Sequence, residues 1–199
     1  MTLDPKRLLD LVVSAVGLVL LSPVLAVVGL VVRCDSPGPA LFRQQRVGRG
    51  GQPFTIHKFR TMRVDAGGPL VTVGGESRIT RSGIVLRASK LDEMPQLYDV
   101  LRGAMSLVGP RPEVAEYVAL WPAEHRDLIL SVRPGITDPV SLELRDEQGL
   151  LAEQDEPETY YREVLLPWKA EHYAAYVRGR TLRGDLGIIA RTVWAVVRR

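Results

Sequence analysis

The chain has 199 residues, 46% hydrophobic and 25% charged, with a formal net charge of +3. That length accommodates one membrane element and one compact domain, and excludes a second full domain. The single cysteine, Cys34, rules out an intrachain disulfide and favours a reducing cytosolic setting. No catalytic partner stands near it in the sequence.

Residues 11–32 form a run of 22 residues without a charge. As an unbroken helix rising about 1.5 Å per residue, it would just cover a hydrocarbon core of roughly 30 Å. The run exceeds a usual signal-peptide core, and no small-residue cleavage site follows Val32, so it is expected to be retained. Lys6 and Arg7 precede it, and Arg33, Arg43, Arg46 and Arg49 follow it. Both flanks therefore carry the basic character of a cytoplasmic side. Ser22 and Pro23 occupy the middle, where proline removes a backbone donor and a serine hydroxyl can satisfy a carbonyl one turn back. Two readings follow from the residues: two half-helices that enter and leave by one face, or a kinked helix that crosses.

Residues 40–64 read as two strand-like runs around the glycine-rich turn at 48–51, a hairpin. The GRGG turn lacks the spacing of a phosphate-binding loop. Residues 65–76, with four glycines and a proline, read as a loop. A basic segment then leads into LDEMPQLYDVLRG, with helical spacing at Leu91, Met94, Leu97, Tyr98 and Leu101 and a stop at Gly103. Ser89 as cap or Pro95 in the first turn would both put Asp92 and Glu93 at the helix N-terminal end. Arg111 follows in a turn between two prolines. Residues 113–130 are expected to be helical, then a proline-glycine loop at 131–141, and further helix at 142–152 and 159–177. The C-terminal LRGDLGIIARTVWAVVRR suits either a helix lying on an anionic membrane surface or a core-packed helix with solvated arginines. His57, His125 and His172 are scattered and read as structural or surface residues.

Asp92 and Glu93 are adjacent carboxylates in a basic setting. Arg87 lies five residues before Asp92, Arg111 sits in the rigid turn beyond, and Lys58 and Arg60 come from the hairpin. Were these cations to converge, they would clamp phosphate oxygens beside two carboxylates. A hard cation such as Mg²⁺ resolves the repulsion between carboxylate and phosphate, because it takes oxygen ligands from both. Phosphoryl transfer suits such a site, and an aspartate can itself attack phosphorus.

KRLLD with the Ser-Pro interrupted apolar run, QQRVG, KFRTM, SKLDEMPQLYDVLRGAMSLVGPRPE and RPGIT, in that order, resemble the bacterial sugar transferase family, the monotopic phosphoglycosyl transferases acting on polyprenyl phosphate. The resemblance runs from Lys6 to about Thr137. It implies an α+β monotopic membrane protein in its minimal catalytic form. A re-entrant helix at 1–34, broken at Ser22 and Pro23, would precede a cytosolic catalytic domain at 35–199 with a small hairpin or sheet and interfacial helices. It also implies transfer of a phosphosugar from a UDP-sugar to undecaprenyl phosphate, with release of UMP, on the cytoplasmic face of a bacterial inner membrane. By the match, Asp92 is the nucleophile, Glu93 assists through metal or proton handling, and the two are the expected Mg²⁺ residues, with direct contact between Glu93 and the metal left open. Arg87 and Arg111 fall on family arginines near the phosphates, with Lys58 and Arg60 as weaker matches. UDP-sugar, undecaprenyl phosphate and membrane lipids are the expected partners; nucleic acid is not. Asp138 and Pro139 depart from the family's usual glycine-aromatic continuation, so the sugar stays open, as does the oligomeric state. The rival expectation is a catalytically silent membrane-anchored module that binds lipid or partners through its basic surface.

Overall fold

The computed structural model describes residues 4–64, 77–144 and 146–198. Helix α1 runs over Pro5–Asp35, with Pro5 in its first turn and the Asp4 carboxylate accepting from the Lys6 N–H at 3.1 Å. Pro23 lies inside it, and the expected division into two half-helices is not seen as an interruption of helical structure. The reason is local. Proline deprives the Val19 carbonyl of its helical donor, and the Ser22 hydroxyl supplies a replacement at 2.8 Å. Val19 and Leu20 are 73% and 72% exposed, whereas Leu18 and Leu21 on the opposite side pack against the cluster of Leu97 and Ile188, so one face of the helix centre is covered and the other is not covered by the described residues. The helix is long and apolar enough to cross a membrane.

Both ends of α1 are nevertheless bound to the rest of the chain. At the start, Arg7 donates to the Val100 and Leu101 carbonyls at 2.7 and 3.0 Å, and Lys6 to the Val108 carbonyl at 2.9 Å. The buried Asp10 accepts from the Leu107 N–H. At the far end, Val28 and Val32 pack with Phe59 and Leu86.

Strands β1 (Leu41–Val47) and β2 (Pro53–Phe59) form the expected antiparallel hairpin, in register from Leu41 opposite Phe59 to Val47 opposite Pro53. Gly50 and Gly51 turn the chain with φ of 68° and 75°, which a side chain would resist. The loop expected at 65–76 lies outside the described residues. Helix α2 (Arg81–Ser89) is capped by Thr80 and ends at Lys90, whose φ of 58° is left-handed. A single 3₁₀ turn, Leu91–Glu93, follows before α3 (Gln96–Leu101). The helix therefore begins later than the apolar spacing suggests, and Ser89 caps nothing ahead of it, since its hydroxyl donates back to the Val85 carbonyl.

Strand β3 (Ser106–Val108) pairs in parallel with β4 (Gly135–Thr137). Between them, the helix expected over 113–130 is two: α4 (Ala115–Leu120) and α5 (Ala123–Leu130). Pro122 divides them, because it holds the preceding Trp121 in an extended conformation and offers no donor. Helices α6 (Pro139–Glu143), α7 (Glu147–Ala152) and α8 (Pro157–Tyr160) lead through a π turn at Tyr161–Leu165 into α9 (Leu166–Gly179). Helix α10 (Leu182–Val197) completes the chain. Tyr117, Trp121, Ile129, Leu151, Leu166 and Tyr173 form the core of this helical half. On α10, Ile188 packs with Leu97 and Leu107, while Leu186, Val193, Trp194 and Val197 stay exposed, so it is amphipathic with an uncovered apolar side.

The β3–β4 pair positions the turn between them. Gly135 leaves no room for a β-carbon against the Gly109 backbone, and its N–H reaches the Pro110 carbonyl at 2.9 Å. Gly135→Ala is expected to destabilise the protein by roughly 1–3 kcal/mol through overpacking. A clear fall in the thermal midpoint checks this, and an unchanged midpoint would remove the close approach from the account.

Candidate active site

Asp92 and Glu93 sit on the turn between α2 and α3, 8% and 7% exposed. The left-handed Lys90 redirects the chain here, so two consecutive carboxylates face inward where a helix surface would have left them in water. Glu93 is held from two sides by one oxygen. Its Oε1 accepts from Lys58 Nζ at 2.8 Å and from Arg111 Nη2 at 2.6 Å. Asp92 differs: its Oδ1 is buried without a hydrogen-bond partner.

Each cation is delivered by a fixed element. Lys58 lies on β2, and the neighbouring His57 is bound to Asp99 of α3 twice, N–H to Oδ2 at 3.0 Å and Nδ1 to Oδ1 at 2.7 Å. Arg111 stands between Pro110 and Pro112. The next residue, Glu113, accepts from Arg46 at 3.2 Å and from the Tyr161 hydroxyl at 3.0 Å, and Val47 N–H reaches its carbonyl. Arg87, on the last turn of α2, donates through Nε to Thr61 Oγ1 at 2.9 Å and interacts with Asp92. Arg60 is not brought to this cluster. Its guanidinium is buried against the end of α1, on Ser36, Pro39 and Val32, so it fastens the membrane helix to the hairpin.

The electrostatics split the pair. Burial raises the Asp92 carboxyl, the Glu93 charge raises it further, and Lys58, Lys90 and Arg87 recover only part, leaving it at about 6. Burial also works against Glu93, but Arg111 and Lys58 outweigh it and hold that group well below the usual carboxylate range. Lys58 is itself pushed down by burial and by Arg111. The site thus holds one permanently ionised carboxylate, spent on cations, and one with an unbonded oxygen that ionises near neutrality. Lys90, Thr61 and Asp99 contribute here without having been singled out from the sequence. Adjacency to the dyad was the only signal for Lys90, and membership of KFRTM the only one for Thr61.

The fold is of mixed α+β class with one long apolar helix, compatible with membrane association, and its cation-lined carboxylate centre is suited to phosphate chemistry. Residues 2–199 match the family model described as bacterial sugar transferase. The chain is 39% identical over 192 residues to the UDP-glucose:undecaprenyl-phosphate glucose-1-phosphate transferase of Caulobacter vibrioides, covering 94% of this chain and 68% of that protein. It is 32% identical over 199 residues to the UDP-N-acetylgalactosamine-undecaprenyl-phosphate N-acetylgalactosaminephosphotransferase of Aeromonas hydrophila, covering 96% and 43%. It is also 39% identical over 167 residues to the exopolysaccharide production protein PSS of Rhizobium leguminosarum, covering 79% and 80%. The chain belongs to the bacterial sugar transferase family. It spans less than half the length of the Aeromonas relative.

Carbodiimide labelling, which requires the protonated acid, tests the split carboxylates by peptide mass spectrometry. Asp92 labelling is expected to be half-maximal near pH 6, and at lower pH in Glu93→Gln, where the like charge is gone. A titration at the ordinary carboxylate value of 3.8 would remove the shift. Between these two values the folded protein binds more protons at Asp92 than the unfolded chain, so this group's contribution to stability declines as pH rises through that window. Asp92→Asn should accordingly melt at or above wild type at pH 8.

Proposed function

We propose that this chain transfers a sugar 1-phosphate from a UDP-sugar to undecaprenyl phosphate, releasing UMP, with Asp92 as the nucleophile. The observation that carries the reading is the buried, unbonded Asp92 Oδ1 beside a Glu93 already committed to Lys58 and Arg111. A carboxylate that ionises at about 6 is mostly charged at neutral pH, yet owes no hydrogen bond at that oxygen. Glu93 differs in that its Oε1 already accepts from two cations, which lowers its nucleophilicity.

In the first step an Asp92 oxygen attacks the sugar-bearing phosphorus of the donor. The bond from that phosphorus to the bridging oxygen breaks, and UMP departs with the electron pair. In the second step a phosphate oxygen of the lipid attacks the same phosphorus, the aspartyl bond breaks, and the Asp92 carboxylate is restored. Arg87, Arg111 and Lys58 surround the dyad with positive charge, which offsets the charge that spreads over the equatorial phosphate oxygens during each displacement.

Magnesium fits this donor set. Among the described residues no group of three or more metal-binding side chains assembles, but Mg²⁺ needs only one or two carboxylates beside substrate phosphates. Asp92 and Glu93 would hold it, and the ion would supply neutralisation of the pyrophosphate charge.

A re-entrant α1 on the cytoplasmic face of the inner membrane accords with this chemistry, because the lipid phosphate stays at the interface. Its support is the docking of both helix ends, through Arg7 and Asp10 at the start and Arg60 at the finish, on one cytosolic domain. Both flanks are basic, as cytoplasmic flanks are.

Incubation with individual UDP-sugars and magnesium, without lipid acceptor, should add the mass of one phosphosugar to wild type and nothing to Asp92→Asn. UMP release that occurs only with undecaprenyl phosphate and without an adduct would indicate direct transfer. For topology, Cys34 is the sole cysteine and is exposed. An impermeant thiol reagent should label Cys34, and separately Asp4→Cys in a Cys34→Ser background, in inverted membrane vesicles alone. Labelling of the two positions from opposite sides would establish a crossing helix.

A further inference from the structure

A cavity of about 120 Å³ lies away from the carboxylate dyad, bounded by the start of α1, the hairpin turn, β3, the loop after α5 and the end of α9. One water requires only about 10–15 Å³ on such a measure, so a polyatomic ion can be accommodated. Its wall carries Lys6, Arg7, Arg49, Arg133 and Arg180 against the carboxylates of Asp4 and Asp10.

The anionic side chains there are already committed. Asp185, just outside, pairs with Lys6; Asp10 accepts from the Leu107 N–H and Asp4 from the Lys6 N–H. Arg7 donates to the Val100 and Leu101 carbonyls and Arg133 to the Gly103 carbonyl; neither forms a carboxylate ion pair among the described residues, and Asp10 and Asp4 act on Arg133 only through their charge. Arg49 and Arg180 are exposed and form no carboxylate ion pair among the described residues. Burial, followed by the like charges of Arg7 and Arg49, makes protonation of Arg133 harder than usual, and Asp10 and Asp4 offset this only in part. Four guanidinium groups and Lys6 on one cavity outnumber the two carboxylates that share its wall, so a further anion would relieve their repulsion, and planar forks of this kind match phosphate oxygens.

We propose that this cavity is a second anion site, separate from the Asp92 centre, that binds a phosphate group. The same end of α1 carries exposed Leu8 and Val12, so with α1 in lipid the cavity stands at headgroup depth, where basic pockets take acidic phospholipids. A phospholipid headgroup and a free phosphate present the same chemistry to these arginines.

The test is arginine modification by phenylglyoxal on the full chain, read by peptide mass spectrometry. In detergent, inorganic phosphate should slow modification of Arg7, Arg49, Arg133 and Arg180 severalfold relative to chloride at equal ionic strength. Nanodiscs of phosphatidylglycerol should do the same relative to phosphatidylcholine if the source is lipid, and should not if it is free phosphate. Arg49→Gln combined with Arg180→Gln, both at exposed positions, should abolish protection of Arg7 and Arg133 while leaving that of Arg87 and Arg111 intact. Equal modification under all four conditions, or protection that survives the double variant, overturns the proposal. Neither result bears on the adduct at Asp92, so the two readings fail independently.

Discussion

The interaction on which the site depends is the buried bridge from Lys58 through Glu93 to Arg111. It joins three segments far apart in the chain: the second hairpin strand, the turn before α3 and the proline-flanked turn after β3. Moving three charges out of water is costly, and their mutual attraction repays that cost only while all three remain in place. Removal of one partner strands the others, at a typical cost of about 3–5 kcal/mol. The same bridge governs Asp92. Burial first, and then the fixed negative charge of the ionised Glu93 beside it, make Asp92 ionise only near neutrality.

Around that bridge the structure invests in rigidity. The two His57–Asp99 contacts bind β2 to α3, and Glu113 ties the Arg111 turn to the hairpin through Arg46 and to the helical half through Tyr161. These bonds set no chemistry themselves. They determine where Lys58 and Arg111 stand, and catalysis that relies on charge placement is sensitive to such support.

Helix α1 has one apolar face exposed along its middle, while Leu18 and Leu21 pack on the body and its ends carry Lys6, Arg7 and Asp10 on one side and the Ser36–Arg60 contacts on the other. The exposed apolar residues of α1 and of α10 together leave an apolar surface uncovered among the described residues, which is compatible with membrane association.

Local order made much of this legible. Apolar length marked α1, strand-like runs around adjacent glycines marked the hairpin, and the dyad between Arg87 and Arg111 marked the centre, because each of these signals lies within a short stretch. What escaped was settled in part by single local bonds that a periodic pattern does not register and in part by contacts between distant residues. The 113–130 helix divides because Pro122 acts within a periodic pattern, and α1 continues through Pro23 because one hydroxyl replaces one lost donor. Arg60 resembles Lys58 in sequence, being two residues away on the same hairpin, yet it stands just past the end of β2 at Phe59 and its guanidinium reaches the end of α1. The sequence by itself determined an apolar helix, a hairpin and two carboxylates among cations. Only the tertiary structure decided which cations pair with Glu93 and which carboxylate is left unbonded, because hydrogen-bond geometry and burial depend on neighbours that no local pattern specifies.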